Sequence, residues 1–166
     1  MARLTQLGRV GQDRIILDAV PTLTLIAYSL GDALGGRLQW DGATGGALER
    51  GVLESILIVD RAQQLAALDL VLFDQAFTAS VDNAVFNPSD ADLNNCVGVV
   101  HVAAADYTNF STNAVAMVTG IGPMGWGLPI QTVGDDILYG QLVVRSGPPT
   151  YVATTDIRVR LTLRRD

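Results

Sequence analysis

Side chains that could do covalent or acid–base chemistry are scarce in this 166-residue chain. It contains no Lys, one His and one Cys, and its seventeen acidic residues are fifteen Asp and two Glu. Enzymes usually take nucleophiles, acids and bases from His, Cys, Lys or paired carboxylates held in a cleft. Several of the Asp residues stand beside Gly, Asn or Ser, where a short polar side chain serves a turn or a helix cap. The inventory predicts a protein that is not an enzyme and needs no cofactor.

His101 is the residue on which acid–base catalysis would depend. The sequence has no GxSxG nucleophile elbow and no second base, so we expect a structural histidine. Cys96 has no partner for an internal disulfide bond and is expected to be a small buried hydrophobe. An enzyme using Asp135 and Asp136 stays an alternative, although adjacent strand positions would point the two carboxylates to opposite faces.

A glycine-rich segment at 120–125 matches the pattern GxGxxG of dinucleotide-binding loops. Such a site needs a helix directly after the glycines, and Pro123, Gly127 and Pro129 exclude that helix. We therefore expect a projecting loop that carries Trp126.

An acidic segment at 90–94, DADLN, supplies the first three oxygen ligands of a calcium-binding loop. The Gly and the closing Glu of such a loop are missing, because Asn95 and His101 stand in their places. No metal site is predicted, although an ion bound within 82–95 stays open.

Arginine side chains are the strongest candidates for binding a protein partner. Arg158, Arg160 and Arg164 share one face of a predicted strand, and Arg165 continues the stripe. Guanidinium groups form two-point contacts with carboxylates and suit interfaces better than Lys does. The alternative is a solvated edge whose charges prevent unwanted strand pairing. Together with the N-terminal segment and the projecting loop, the candidate interface residues are Arg3, Arg9, Trp126, Arg158, Arg160 and Arg164.

The composition bears on which partners the chain could have. Charged residues make up 17 % of it, below the roughly 25 % typical of globular domains. Since large apolar patches rarely stay exposed on monomers, copies of the chain, with a trimer favoured, or another partner should cover part of the surface. A net charge of −6 with thinly spread Arg argues against nucleic acid. We also expect no membrane span and no signal peptide, because no apolar stretch is long enough.

Alternating apolar and polar residues predict that strands position these side chains. The clearest case is 156–165, where Ile157, Val159, Leu161 and Leu163 alternate with polar residues. We expect a flexible arm at 1–13 and a single domain at 14–166. That domain is predicted to be all-β, an antiparallel β-sandwich with one or two short helices, for which a jelly roll is one arrangement.

Individual elements follow from the same pattern. Helical turns are predicted after Asp60, with Gln63 as its capping partner, and from Asn87-Pro88 to about Asn95. The predicted strands lie at 15–18, 22–28, 38–40, 48–59, 68–73, 97–102, 114–118, 137–145 and 156–165.

Five segments together suggest a family. They read AYSLGDALGGRLQW, GVLESILIVDRAQQLAALDLVLFD, FNPSDADL, VGVVHVAAADY and LYGQLVVRSGPPTYVATTDIRVRLTLRRD. From about Thr22 onward the chain resembles head decoration proteins, also called auxiliary capsid or cement proteins, of tailed bacteriophages.

The resemblance implies a β-sandwich that oligomerises, binds the major capsid protein on the outside of the shell and catalyses nothing. Such a protein would be made in the host cytoplasm and end on the virion exterior. A tail or head-fibre component is an alternative. So is a carbohydrate-binding module that uses Trp40, Trp126, Tyr107 or Tyr151 as stacking platforms.

Overall fold

A computed structural model describes residues 13–165. The candidate residues Arg3 and Arg9 lie outside the described residues, so the predicted arm stays a prediction. The described part contains one short helix, α1 (Asp90–Leu93), and 3₁₀ turns at Ala104–Asp106 and Pro123–Gly125. Its strands are β1 (Asp13–Ala19), β2 (Ala33–Trp40), β3 (Arg50–Asp60), β4 (Leu68–Phe73), β5 (Cys96–Val102), β6 (Tyr107–Phe110), β7 (Asn113–Thr119), β8 (Leu128–Gln131), β9 (Leu138–Val144) and β10 (Ile157–Arg165).

These strands form two antiparallel sheets. The first has the order β1-β10-β3-β7-β6, with β8 also paired to β3, and the second has the order β2-β9-β4-β5. The pairs β1 with β10, β2 with β9, β3 with β7 and β4 with β5 are nested, as in a long hairpin rolled into two sheets. That nesting is the strand order of a jelly roll. The prediction of an all-β sandwich with few short helices is confirmed.

The main core lies between the two sheets, because alternate residues of each strand point inward. On β10, Ile157, Val159, Leu161 and Leu163 are buried while the residues between them are partly exposed. Leu53, Ile56 and Ile58 on β3 meet them from the neighbouring strand, and Trp40 and Tyr28 belong to the same buried cluster. The period of two that the sequence showed thus corresponds to one buried and one outward face.

A second, smaller core covers the outer face of the second sheet. Val71 and Phe73 on β4 and Tyr139 and Val143 on β9 point away from the main core and are buried beneath the β4–β5 connection. Phe77 of that connection stacks on Phe73, with ring centroids 4.0 Å apart. Residues 74–89, the covering segment, therefore protect this face with the chain itself.

The predicted strand at 22–28 is wrong. Its backbone N–H groups bind loops and side chains rather than a neighbouring strand: Leu23 donates to the carbonyl of Thr154, and Tyr28 to that of Pro149. Thr24 donates to the carboxylate of Asp82 at 2.7 Å. Of the two leucines that alternate with Thr22 and Thr24, Leu23 is buried in the core, whereas Leu25 is half exposed.

The helix predicted after Asp60 is also absent. The Asp60 carboxylate accepts hydrogen bonds from the backbone N–H groups of Ala62 and Leu65, at 3.0 and 2.9 Å. Gln63 and Leu65 have φ of +53°, a left-handed conformation that no right-handed helix contains. The acidic residue therefore closes a tight loop between β3 and β4.

The second predicted helix exists but begins later than expected. Ser89, rather than Asn87, is its N-cap, and its hydroxyl accepts from the N–H of Asp92 at 3.1 Å. Pro88 therefore precedes the cap instead of occupying the first turn. Two further strands, β6 and β8, were not predicted, because both are only four residues long and β8 contains Pro129.

Candidate docking surface

The outer face of the first sheet, which we call the open face, carries the candidate interface residues that the structure describes, namely Trp126, Arg158, Arg160 and Arg164. Unlike the second sheet, it has no covering segment among residues 13–165. Strand register sets Arg164 on β10 opposite Val52 on β3, and Val52 opposite Pro129 on β8. Arg160 is likewise opposite Leu57, which is opposite Met117 on β7. Each row thus runs from arginine on one side to apolar side chains on the other.

The arginine half of the open face is organised by ion pairs. Arg160 forms a two-point contact with Asp18, with Nε–Oδ1 and Nη2–Oδ2 distances of 2.8 and 2.9 Å. Arg158 lies 3.8 Å from the same carboxylate. The hydrogen bond from Arg160 holds the pKa of Asp18 below its usual range, and Asp18 raises the pKa of Arg160.

A second carboxylate organises the other end of the stripe. Glu54 accepts a hydrogen bond from Arg14 Nη2 at 3.3 Å, and its carboxylate lies 2.9 Å from Arg14 Nε and 3.6 Å from a guanidinium nitrogen of Arg164. Four guanidinium groups therefore meet two carboxylates, which leaves an excess of two positive charges on a chain of net charge −6. This half presents a locally positive, ordered surface.

The apolar half is dominated by a loop at 120–127 that interrupts a strand. β7 and β8 lie end to end along β3, and the loop leaves the sheet between them. Gly127 has φ of +101°, and a Cβ there would lie 2.2 Å from Val52 Cγ1. Gly122 has φ of +77°, and its Cβ would lie 2.3 Å from the Gly127 carbonyl oxygen. Only glycine permits this closure.

Hydrogen bonds within the loop hold it in one shape. The N–H of Gly127 donates to the carbonyl of Ile121 at 2.8 Å, and that of Gly125 to Gly122 at 3.2 Å. Ile121 is buried in the main core and anchors the loop. A closed loop with an apolar anchor loses little conformational entropy when a partner binds.

Two large apolar side chains of this loop point into solvent. Met124 is 90 % exposed and Trp126 is 80 % exposed. With Val52, Pro123, Gly127 and Pro129 they line a cleft of about 380 Å³ on the open face. Trp and Met are enriched in interfaces, and a Trp beside a pocket is a frequent hot spot of binding. The expected projecting loop is therefore present, and it opens on the same face as the arginine stripe.

The residues of the open face that the sequence did not single out as candidates are Val52, Met117, Met124 and Pro129. Pro129 lies beside Val52 on this surface only because β8 pairs with β3, which the sequence did not indicate. Met124 could have been found, since it stands among the glycines and prolines that predicted a projecting loop.

Arg165 departs from the prediction that it continues the stripe. A register shift between Thr162 and Leu163 accompanies the end of β10, and Arg165 pairs with Gly51 in the row of core residues. Its guanidinium donates to the carbonyl of Gly42 in the β2–β3 turn. Arg165 therefore fastens a turn and is absent from the open face.

The candidate catalytic groups make contacts within the described part of the chain. His101 Nδ1 lies 2.6 Å from Asp69, whose other carboxylate oxygen accepts from Arg145, so this cluster joins β5, β4 and the residue that follows β9. Asp135 accepts from the N–H of Ile137 and the hydroxyl of Tyr139 within a turn.

The thiol of Cys96 is only partly buried, beside the second core, rather than fully buried as predicted. Burial nevertheless raises its pKa. A raised pKa leaves less reactive thiolate at neutral pH.

The other candidate ligand sites are occupied by internal contacts. Asp82 accepts from the N–H groups of Thr24 and Gly35 and from the hydroxyl of Tyr28. Asp92 accepts from Ser89. Within residues 13–165, no group of three or more His, Cys, Asp or Glu could hold a metal ion. Of the four aromatic stacking platforms, Trp40 and Tyr151 are buried, which excludes them from binding a sugar.

No helix in the described part of the chain is long and apolar enough to cross a membrane. No protein-family model matches the sequence, and no curated protein matches it significantly.

Proposed function

We propose that this chain is a non-enzymatic structural protein of a tailed-bacteriophage virion, which oligomerises and binds the major capsid protein on the outside of the shell. The observation that carries the proposal is the open face, where a rigid exposed Trp126 and an ordered arginine stripe lie side by side. The sequence resemblance to head decoration proteins supports the choice of partner. Jelly rolls are also common in viral capsid domains, which agrees with this role.

The chemistry of the open face defines the surface that it fits. Its apolar half, around Trp126 and Met117, would bury side chains against an apolar patch, while Arg158, Arg160 and Arg164 would face carboxylates. We therefore expect the docking site on the shell to combine an apolar patch with an acidic rim. Because the arginine half is partly exposed, the association rate should fall as salt is added.

The test uses particles of the encoding virus from which this chain has been removed. Wild-type chain is added back, and binding is measured by co-sedimentation and by electron cryomicroscopy. Trp126→Ala should weaken binding at least about tenfold, because an exposed aromatic anchor on a rigid loop carries a large share of binding free energy.

Leu93→Ala is the matched control. Leu93 is a half-exposed apolar residue on α1, which precedes β5 in the second sheet, and its truncation should leave binding unchanged. Binding of Trp126→Ala equal to wild type would reject the open face as the docking surface. Occupancy of the tail alone would show that the tail alternative is right.

Carbohydrate binding is a second candidate, because Trp126 stands exposed beside a cleft and could stack on a sugar ring. A glycan array distinguishes the two. Binding that Trp126→Ala abolishes, with no binding to shells, would favour the carbohydrate-binding module.

A further inference from the structure

A second exposed apolar surface lies at the end of the sandwich where β1 and β3 finish and β10 begins. Three segments form it, 20–31, 80–86 and 146–155, and we call this surface the neutral end. Between 50 and 78 % of each of six large apolar residues is exposed here. They are Leu25, Ile26, Leu30, Val81, Val85 and Val152.

Hydrogen bonds join the three segments into one unit. Tyr28 donates its N–H to the carbonyl of Pro149, and Phe86 to that of Gly31, at 3.0 and 2.9 Å. The side chain of Asn83 donates to the carbonyl of Ala27 at 3.3 Å. The rings of Tyr28 and Tyr151 meet edge to face below, 5.9 Å apart. The apolar side chains are therefore held on an ordered support.

Charge is almost absent from the neutral end. Its three segments contain one ionisable Asp and no Arg, whereas about five charged residues would be expected from the 17 % of the whole chain. That Asp, Asp82, directs its carboxylate inward to the N–H groups of Thr24 and Gly35 and the hydroxyl of Tyr28. Arg61, which directly follows β3, donates a hydrogen bond to the carbonyl of Thr155 and places one exposed charge at the edge of this surface. The outward surface is consequently apolar and poor in charge.

The apolar character and the low charge of the neutral end favour a second copy of this chain as its binding partner. The cores of homodimer interfaces are apolar and depleted of charge. Copies that each carry −6 repel one another, and the repulsion is least where they meet through an uncharged surface. An acidic shell surface would find one guanidinium group here, that of Arg61 at the edge, whereas the open face offers it four.

We propose that the neutral end is the surface through which copies of this chain associate with one another. The proposal rests on the proposed function, of which self-association is a part, and it names the surface. Because the neutral end and the open face are separate, an oligomer could present several open faces to a shell at once. Linked binding sites gain affinity from effective concentration without any new contact.

The experiment places like charges on the neutral end. Ile26→Asp with Val81→Asp puts two carboxylates on each copy, and like charges brought together across an interface are strongly unfavourable. We expect sedimentation velocity at micromolar concentration to show an oligomer for wild type and a monomer for the variant. Self-association should weaken at least about tenfold.

Two further variants make the result specific. Met124→Asp adds a charge at an even more exposed residue of the open face and should leave the oligomer intact while weakening shell binding. Val152→Asp tests the third segment with a single change in a turn, in case the double variant does not fold. Circular dichroism verifies that each variant keeps its strands.

The possible outcomes separate the self-association surface from the proposed function. A wild-type chain that sediments as a monomer, or folded neutral-end variants that keep the wild-type size, would overturn the inference. Loss of the oligomer in these variants supports it, even if neither they nor wild type binds shells. In that case the proposed function fails while the self-association surface stands.

Discussion

The two outer faces of the sandwich carry similar apolar side chains, but those of one face are covered by the chain and those of the other are exposed. On the second sheet, Val71 and Phe73 are covered by residues 74–89 and buried. On the first sheet, Met117 on β7 and Phe110 on β6 are more than half exposed, and no segment within 13–165 covers them. The covered face serves the stability of the isolated chain. The open face contributes little to that stability, and its apolar groups therefore suit a partner.

The comparison is tested most directly by replacing one phenylalanine with alanine on each face. Phe77→Ala removes a buried ring that stacks on Phe73, and we expect the free energy of unfolding to fall by about 3–5 kcal/mol. Phe110→Ala on the open face should lower it by less than about 1 kcal/mol, because that ring is already half in water. Urea unfolding measures both. Similar losses for the two variants would mean that the faces do not differ as described.

Weakening the hydrogen bonds that join the covering segment to the rest of the molecule should lower the free energy of unfolding by a smaller amount. Asp82→Asn leaves one oxygen where two now accept from Thr24, Gly35 and Tyr28. Since an unsatisfied donor costs about 1–3 kcal/mol, we expect a loss of about 2 kcal/mol in urea unfolding. Asp90→Asn, at an exposed position of α1, is the control and should stay within about 0.5 kcal/mol of wild type. A neutral Asp82→Asn would show that the segment is held by apolar packing alone.

The smallest change in the free energy of unfolding is expected for a substitution in the arginine half of the open face. Arg160→Gln removes the two-point contact with Asp18, and an exposed ion pair contributes only about 0–1 kcal/mol at neutral pH. The pKa of Asp18 is lowered in the folded chain, so this stability is present above the unfolded pKa of about 3.9 and is lost as pH falls through the folded value. Urea midpoints of variant and wild type should therefore differ at pH 7 and converge once the pH has fallen below the folded pKa of Asp18. A difference that persists in acid would assign the effect to packing of the Arg160 stem.

The strands that the sequence predicted well are those whose pattern is set by one local rule. β4 was predicted with its observed bounds, 68–73, and β10 within one residue, because a buried run and a clean alternation each reflect which faces are covered. The strand predicted at 22–28 failed although it alternates, because the Asp82 carboxylate, 58 residues away from Thr24, takes a backbone N–H that a strand would need. The helix predicted after Asp60 failed for a related reason, since Asp caps a loop as readily as a helix.

The features of the open face can likewise be separated into those that follow from local sequence and those that depend on strand pairing. The stripe of Arg158, Arg160 and Arg164 and the exposed loop with Trp126 follow from spacing, from glycines and from prolines, all of which are local. Their position on one shared face does not, because it depends on β8 joining β3 beside β10. The ion pairs of the arginines with Asp18 and Glu54 likewise depend on how the strands pair. Arg160 and Asp18, for example, are more than 100 residues apart in the sequence.

The sequence by itself determined that this chain is an all-β sandwich with few reactive groups and an arginine-lined strand, because side-chain period and composition are properties of neighbouring residues. Only the tertiary structure decided which sheet face is covered, that Trp126 and the arginines lie together, and that the charge-poor segments meet at one end. Those features arise from contacts between segments far apart in the chain, where pairing and burial rather than local preference set the free energy.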